Sequence, residues 1–341
     1  MRLGRFPLIV CLLTFAACEH QADQPDDSLP AAGHSPTDET TPSPDVVPNA
    51  ETADGPFLTV LGIAQDAGYP QAACQKDCCR DAWNDPELRR HPVCLAIVDP
   101  STSQRWMVEC TPEFRAQLRM LDEIAPTESS PALDGILLTH AHIGHYAGLI
   151  HLGREVIGAN GIPVYAMPRM KSYLEDNGPW SQLVTLNNIE LRSLEHEQSV
   201  ELSASISATP FRVPHRDEYS ETVAYVIAGP NRRVLFLPDI DKWDKWDRRI
   251  EDMIATVDIA YIDGSFFDGD ELPGRDMSEI PHPFVIESME RFAELPAEEK
   301  SKVRFIHFNH TNDALRADSA AAQAIRSAGF RIAEEGERVE L

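Results

Sequence analysis

Positive charge is scarce in this chain: 30 Lys and Arg stand against 55 Asp and Glu among 341 residues, a formal net charge of -25. That balance excludes nucleic acid and an anionic membrane surface as electrostatic partners. Long apolar runs are lacking too. The run at 6–15 is too short to remain in a bilayer as a spanning helix. Cysteine is sparse, seven in all, and with Cys11 and Cys18 in the N-terminal segment only Cys74, Cys78, Cys79, Cys94 and Cys110 remain for the rest. Residues 19–55 contain no Lys or Arg and are rich in Pro, Asp, Glu, Thr, Ser and Ala. Such a segment buries too little apolar surface to offset its ordering entropy, and it reads as an extended, proline-stiffened tether. The sequence carries no internal repeat. With 43% hydrophobic residues overall, the span 56–341 has enough apolar material for one sizeable domain.

The N-terminus itself reads as a targeting segment: Arg2 and Arg5, the short apolar run, then Ala16-Ala17-Cys18. It resembles a bacterial lipoprotein signal, with Phe15 where a leucine is usual. The resemblance implies a signal peptide over 1–18, lipidation of Cys18, and a domain facing the periplasm. Glu19 after the cysteine implies the outer membrane, with the lipid as the chain's sole membrane contact. The alternative is an ordinary secretory signal cut near Ala17.

The folded part is organised around Ile136-Leu137-Leu138-Thr139-His140-Ala141-His142-Ile143-Gly144-His145. Three apolar residues and a threonine predict a buried strand. Three histidines follow within six positions, just past its end. A polar loop that happens to be rich in histidine is the bland alternative. Imidazole is the commonest metal-binding side chain, and residues two apart in a tight turn can aim at one point. Further candidates sit at the ends of other apolar runs: His215 after 211–214, Asp239 after 234–237, and His307 in Phe305-Ile306-His307-Phe308-Asn309-His310-Thr311-Asn312. Strands are predicted at 57–63, 93–99, 105–110, 162–166, 232–237, 257–262 and 303–308, with antiparallel strands over 184–228. Helices are predicted from 112 to 124, and at 168–177, 245–255, 284–295 and 313–328. This pattern predicts an α/β fold, two β-sheets packed together with helices outside.

The histidine stretch resembles the His-x-His-x-Asp-His signature of the metallo-β-lactamase fold, matched by His140, His142 and His145, with Gly144 in place of the aspartate. The Ala64-Gln65-Asp66-Ala67-Gly68-Tyr69-Pro70-Gln71 loop and its following cysteines resemble the start of pyrroloquinoline quinone biosynthesis protein B and its relatives in that fold. The resemblance implies an αββα sandwich of two mixed sheets. It implies a first metal on His140, His142 and His215, a second on His145 and His307, and Asp239 bridging and catalytic. His310 is then expected to face the substrate or support the ligands. His282 resembles a histidine that phosphodiesterase relatives use for proton transfer, and a solvent-facing loop residue is the alternative. Cys74-x-x-x-Cys78-Cys79 resembles a structural zinc knot, although the usual spacing differs. A fourth ligand would be needed, with His91 as the candidate, and disulfide pairing competes in an oxidising compartment. Cys94 and Cys110 are expected in strands, either simply buried or disulfide-paired.

Gly144 removes a negative charge, so the second metal position is expected to bind weakly or to stay empty. Zinc, one or two ions, suits the ligands, as do iron and manganese. In a hydrolase, the metal lowers the pKa of a bound water and the hydroxide attacks an ester, phosphodiester or amide-like bond of a small-molecule or peptide substrate. The resemblance to the quinone-biosynthesis protein implies an iron-dependent oxygenase instead, and Gly144 a degenerate binding module. The envelope signal favours the hydrolase, since quinone biosynthesis is cytoplasmic.

Overall fold

The computed structural model describes residues 55–128 and 132–341. Cys18, the signal segment and nearly all of the tether lie outside the described residues. Among the described residues no helix is long and apolar enough to cross a membrane.

Among the described residues fourteen strands form two seven-stranded sheets, ordered β14-β1-β2-β3-β4-β5-β6 and β13-β12-β11-β10-β9-β8-β7. In the first sheet, β1 (Phe57–Gly62), β2 (Cys94–Asp99) and β3 (Gln104–Val108) are antiparallel neighbours, and β14 (Arg338–Glu340) pairs antiparallel with β1. β3, β4 (Gly135–Leu137), β5 (Ile162–Ala166) and β6 (Ile189–Ser193) then run parallel. The second sheet repeats the scheme. β7 (Val200–Glu201), β8 (Ser207–Arg212), β9 (Val223–Ala228) and β10 (Arg233–Leu237) are antiparallel, while β10, β11 (Ile259–Asp263), β12 (Val303–Ile306) and β13 (Arg331–Ile332) are parallel.

Side-chain alternation assigns the layers. Leu58, Val60, Leu95, Ile97, Trp106 and Val108 pack in the inter-sheet core with Tyr225, Leu235 and Phe305. Their chain neighbours Phe57, Leu61, Ala96, Val98 and Met107 pack outward with Phe114 and Leu121 of the helix Phe114–Ile124. Strands covered on both faces must read as continuous apolar runs, which is why β1 and β2 are apolar nearly throughout. The expected αββα sandwich is the observed fold.

Several elements differ from expectation. β6 is not part of the antiparallel run over 184–228; a helix, Trp180–Thr185, precedes it and it joins the first sheet beside β5. Periodicity tells a strand from a helix but not which neighbour a strand will choose. The expected helix over 313–328 is a short 3₁₀ turn, Asp313–Leu315, and a separate helix, Ala320–Ser327. Ser319 caps that helix by accepting from Ala322 N–H, so helix geometry starts afresh there. Cys94 and Cys110 are both buried free thiols, not a disulfide pair.

The direction of the strands positions the site. β1, β3 and β4 point the same way in the first sheet, and β8, β10, β11 and β12 the same way in the second. The segments beyond the C-terminal ends of all seven carry the titratable residues of the site.

Candidate metal centre

The loop after β4 is clamped from the second sheet. Tyr225 of β9 donates its hydroxyl to Leu138 O at 2.6 Å, Val223 N–H reaches Thr139 O, and Ala141 N–H reaches Ser220 Oγ. Held there, His140, His142, His215 and Asp239 converge. His140 Nε2 lies 2.8 Å from His142 Nδ1 and 3.3 Å from Asp239 Oδ2. His215 Nε2 lies 3.3 Å from His142 Nδ1 and 3.2 Å from Asp239 Oδ1. A tetrahedral zinc with bonds of about 2.0–2.1 Å has ligand–ligand edges of roughly 3.3 Å. The three nitrogens and the two Asp239 oxygens sit at about that spacing.

A second group lies beside the first: Asp66, His145 and His307. His145 Nε2 is 3.1 Å from Asp66 Oδ1, and His307 Nε2 is 3.7 Å from it. All three atoms are buried without a hydrogen bond. Unpartnered buried nitrogen and carboxylate atoms aimed at one point are costly unless a cation joins them. Asp239 Oδ2 stands 3.8 Å from His145 Nε2 and 3.9 Å from His307 Nε2, so this carboxylate faces both groups. The residues present therefore fit two cations.

Four of the five histidines have a hydrogen-bond partner on their other nitrogen, and the fifth, His215, faces a carboxylate there. His140 Nδ1 meets Thr139 Oγ1 at 2.9 Å, His142 Nε2 meets Glu218 at 3.2 Å, and His145 Nδ1 meets Glu109 at 3.2 Å. His215 Nδ1 is 3.3 Å from Asp241, and His307 Nδ1 is 2.8 Å from Ser265 Oγ. Such contacts fix ring orientation and leave the other nitrogen for a metal. Two of these residues adopt left-handed backbone, Glu109 at φ 81° and His307 at φ 67°. Each such residue costs of order 1–3 kcal/mol.

Electrostatically the cluster holds opposite charges in check. Burial disfavours a charged His215, but Asp239 overrides it and pushes this imidazole up to about 10. Burial likewise opposes a charged His145, yet Glu109 and Asp66 hold it well above its ordinary value. Burial and the charge on His145 keep His140 well below. Asp239 and Asp66 would be raised by burial, and their histidine neighbours hold both well below the carboxylate range.

His282 is brought to the same place. Its Nδ1 lies 2.8 Å from Asp263 Oδ2 and 3.2 Å from Asp239 Oδ1, so it is a buried residue rather than a solvent-facing one. It also lines a cleft of about 740 Å³ with Gln65, Lys76, Arg216, Arg275 and His310. One carboxylate, Glu279, lines it too. Lys76, Arg216 and Arg275 make no ion pair among the described residues, which is notable in a chain this acidic.

His310 lies outside the two histidine groups. It forms a group with Cys74, Cys78 and Cys79, at the position where His91 was expected. His91 instead pairs with Glu335, 3.3 Å away. The sulfurs of Cys74 and Cys78 are 3.8 Å apart, and all three cysteines are free thiols. Burial, reinforced by the neighbouring thiols, pushes Cys79 up to about 12, so a cation is what would let the three act as thiolates together.

The sequence reading missed Asp66, Asp263 and Glu109. Asp263 directly ends the apolar run of β11, as Asp239 follows that of β10, and could have been found by the same rule. Asp66, in the loop after the first strand, carried a weaker signal of the same kind.

This arrangement of two sheets with ligands at their aligned ends is that of a metallo-β-lactamase-fold protein. The chain matches the Beta-lactamase superfamily domain over residues 97–308, and it belongs to that family. Within it the chain is similar to coenzyme PQQ synthesis protein B of Methylorubrum extorquens, 25% identical with 83% of this chain and 99% of the relative covered. The protein of the same description from Xanthomonas campestris is 24% identical over the same share of this chain. Zn(2+)-bound PqqB from Methylobacterium extorquens superposes with a TM-score of 0.70 at 21% identity, covering 84% of this chain and all of that one. A diphosphatase from the PhnP family superposes at 0.56 with 20% identity, covering 84% and 97%. These likenesses show the fold, and within the family the chain is similar to PqqB.

Proposed function

We propose that this chain is a metal-dependent hydrolase of an anionic substrate carrying an ester, phosphodiester or amide-like bond. The observation that carries the reading is Asp239, whose one carboxylate faces two histidine groups at 3.2–3.9 Å. His140, His142, His215 and Asp239 would hold one ion, and Asp66, His145 and His307 the other. Ions there would lower the pKa of bound water and polarise the scissile group. Zinc in a solved structure of similar fold supports metal binding here.

The chain's own residues supply the rest. Lys76, Arg216 and Arg275 attract and orient the anionic group at the cleft mouth. Burial alone would lower His282, but Asp263 and Asp239 raise it. Its Nδ1 is engaged by those carboxylates, which leaves Nε2 to give a proton to the departing oxygen or nitrogen.

The test is hydrolysis of chromogenic phosphodiester, carboxylic ester and lactam substrates by the zinc-, manganese- and iron-loaded protein. An anionic substrate should turn over, and His282→Gln should lower kcat by about 10²–10⁴-fold with metal content unchanged. Oxygen uptake by the iron form, with no hydrolysis in any form, would replace this reading with the oxygenase one. The reading also places the domain on a lipid at Cys18: Cys18→Ser should move the protein from the membrane to the soluble fraction, and an unchanged distribution would refute the anchor.

A further inference from the structure

The absence of a carboxylate at position 144 suggests a crippled second metal position. The geometry points to a different conclusion: the carboxylate has been relocated to Asp66, and Gly144 is the residue that makes room for it. We infer that Asp66 is the acidic ligand of the second cation, and that a side chain at 144 and the Asp66 carboxylate are mutually exclusive. This deepens the proposed function, resting on its two-cation reading but not on hydrolysis.

Three observations support it. First, Asp66 Oδ1, His145 Nε2 and His307 Nε2 are all buried and unpartnered, although the Asp66 side chain as a whole is 29% exposed. The two imidazoles are fully buried and have their other nitrogens engaged by Glu109 and Ser265. Nothing else in the second group supplies negative charge of its own, since Asp239 faces the first group more closely. Second, the Asp66 loop is fixed by backbone. Ala64 bridges to Phe308, Gln65 N–H donates to Phe308 O at 2.8 Å, and Phe308 N–H returns to Ile63 O at 2.9 Å. That ladder ties the loop after β1 to the residue following His307, so the carboxylate and the imidazole are positioned as a unit. Third, a Cβ at Gly144 would stand 2.5 Å from Asp66 Oδ1 and 2.6 Å from Asp66 Cβ, and closer still to its Cα. Contacts that short are not tolerated, so even alanine at 144 would displace Asp66. A glycine ahead of His145 that met open space would be a simple loss. This one is filled, and what fills it is a carboxylate aimed at the site.

The experiment measures metal rather than turnover. Full-length protein, stripped by chelator, is titrated with zinc and its bound metal counted by elemental analysis. Asp66→Asn, close in shape, should bind one zinc fewer per chain, or bind it at least about 10–100-fold more weakly. Gly144→Ala should lose the same ion by crowding Asp66 aside. Circular dichroism establishes that each variant is folded. Full zinc content at unchanged affinity in Asp66→Asn would overturn the inference, and so would full content in a folded Gly144→Ala. A protein whose variants lose zinc as described, yet which hydrolyses nothing itself, would sink the hydrolase reading and leave this one standing.

Discussion

At the scale of single residues, Glu109 shows how much of the site lies beneath the ligands. It is fully buried, follows β3 in left-handed backbone, and accepts from Thr139 Oγ1 at 2.5 Å while facing His145 Nδ1 at 3.2 Å. Thr139 in turn contacts His140 Nδ1. One carboxylate thus orients a ligand of each metal position. Glu109→Gln keeps the shape but can present an amide N–H toward His145 Nδ1, which disfavours the tautomer with Nε2 free. Metal affinity should fall about 10–100-fold, read by competition with a chromophoric chelator; affinity within twofold of the parent would show that Glu109 is mere filling. Much of the ligand set was visible without the structure. His140, His142 and His145 lie within six residues, and His215, Asp239 and His307 each follow an apolar run. Glu109 was not visible and Asp66 only weakly so, because their role depends on a strand pairing and on a neighbour's missing Cβ. His310, expected to face the substrate or support the ligands, does line the cleft with His282, but its grouping with the cysteines was not visible. Three residues after His307, it belongs by sequence to the same cluster, yet the chain turns and carries it to the cysteines.

Among elements, the cysteine group joins parts of the chain that share little apolar contact. Cys78 and Cys79 open the helix Asp77–Asn84, Cys74 precedes it, and His310 comes from the turn after β12. The helix buries only Cys79 and Ala82. Tyr69 donates to Cys78 O and Trp83 to Cys74 O, both at 2.7 Å, which shapes the loop around the sulfurs. A cation there would add a cross-link where the core is thin. A ligand at 100–1,000 times its Kd stabilises by about 3–4 kcal/mol, and each kcal/mol shifts Tm by about 2–4 °C in a domain of up to 250 residues. Cys78→Ser should therefore lower the Tm of the zinc-loaded protein by several degrees and bring its protease cleavage into 70–84. An equal Tm in parent and variant, with equal zinc content, would show that the cysteines hold no metal. The strand and helix order was largely legible, since both faces of the central strands are covered and the runs are long. The place of β6 and the break before Ser319 were not, because sheet neighbours and caps are settled by contacts distant in sequence.

For the whole molecule, the site couples stability to pH in opposite senses with and without metal. Without metal, His215 titrates near 10 and His145 well above its ordinary value, against about 6.5 unfolded. A histidine raised in the folded state contributes stability that is complete below about 6.5 and is lost as pH climbs through its folded value. Asp239 and Asp66 are depressed, so their contribution is present above about 3.9 and is lost as pH falls through their folded values. The metal-free protein should thus be most stable between about pH 4 and 6.5 and weaken above. Metal requires neutral imidazoles, so binding expels the protons that His215 and His145 carry, whereas His140, already held neutral, expels none. The gap in Tm between loaded and chelator-treated protein should therefore widen from pH 6 to 8.5. The thiols release protons in the same direction, and the widening that persists in Cys78→Ser is the imidazole share. Loading at pH 7 in weak buffer should acidify the solution by about two protons per chain from those histidines. A gap that narrows with pH, or loading without proton release, would mean that cations do not occupy the point where the histidines converge.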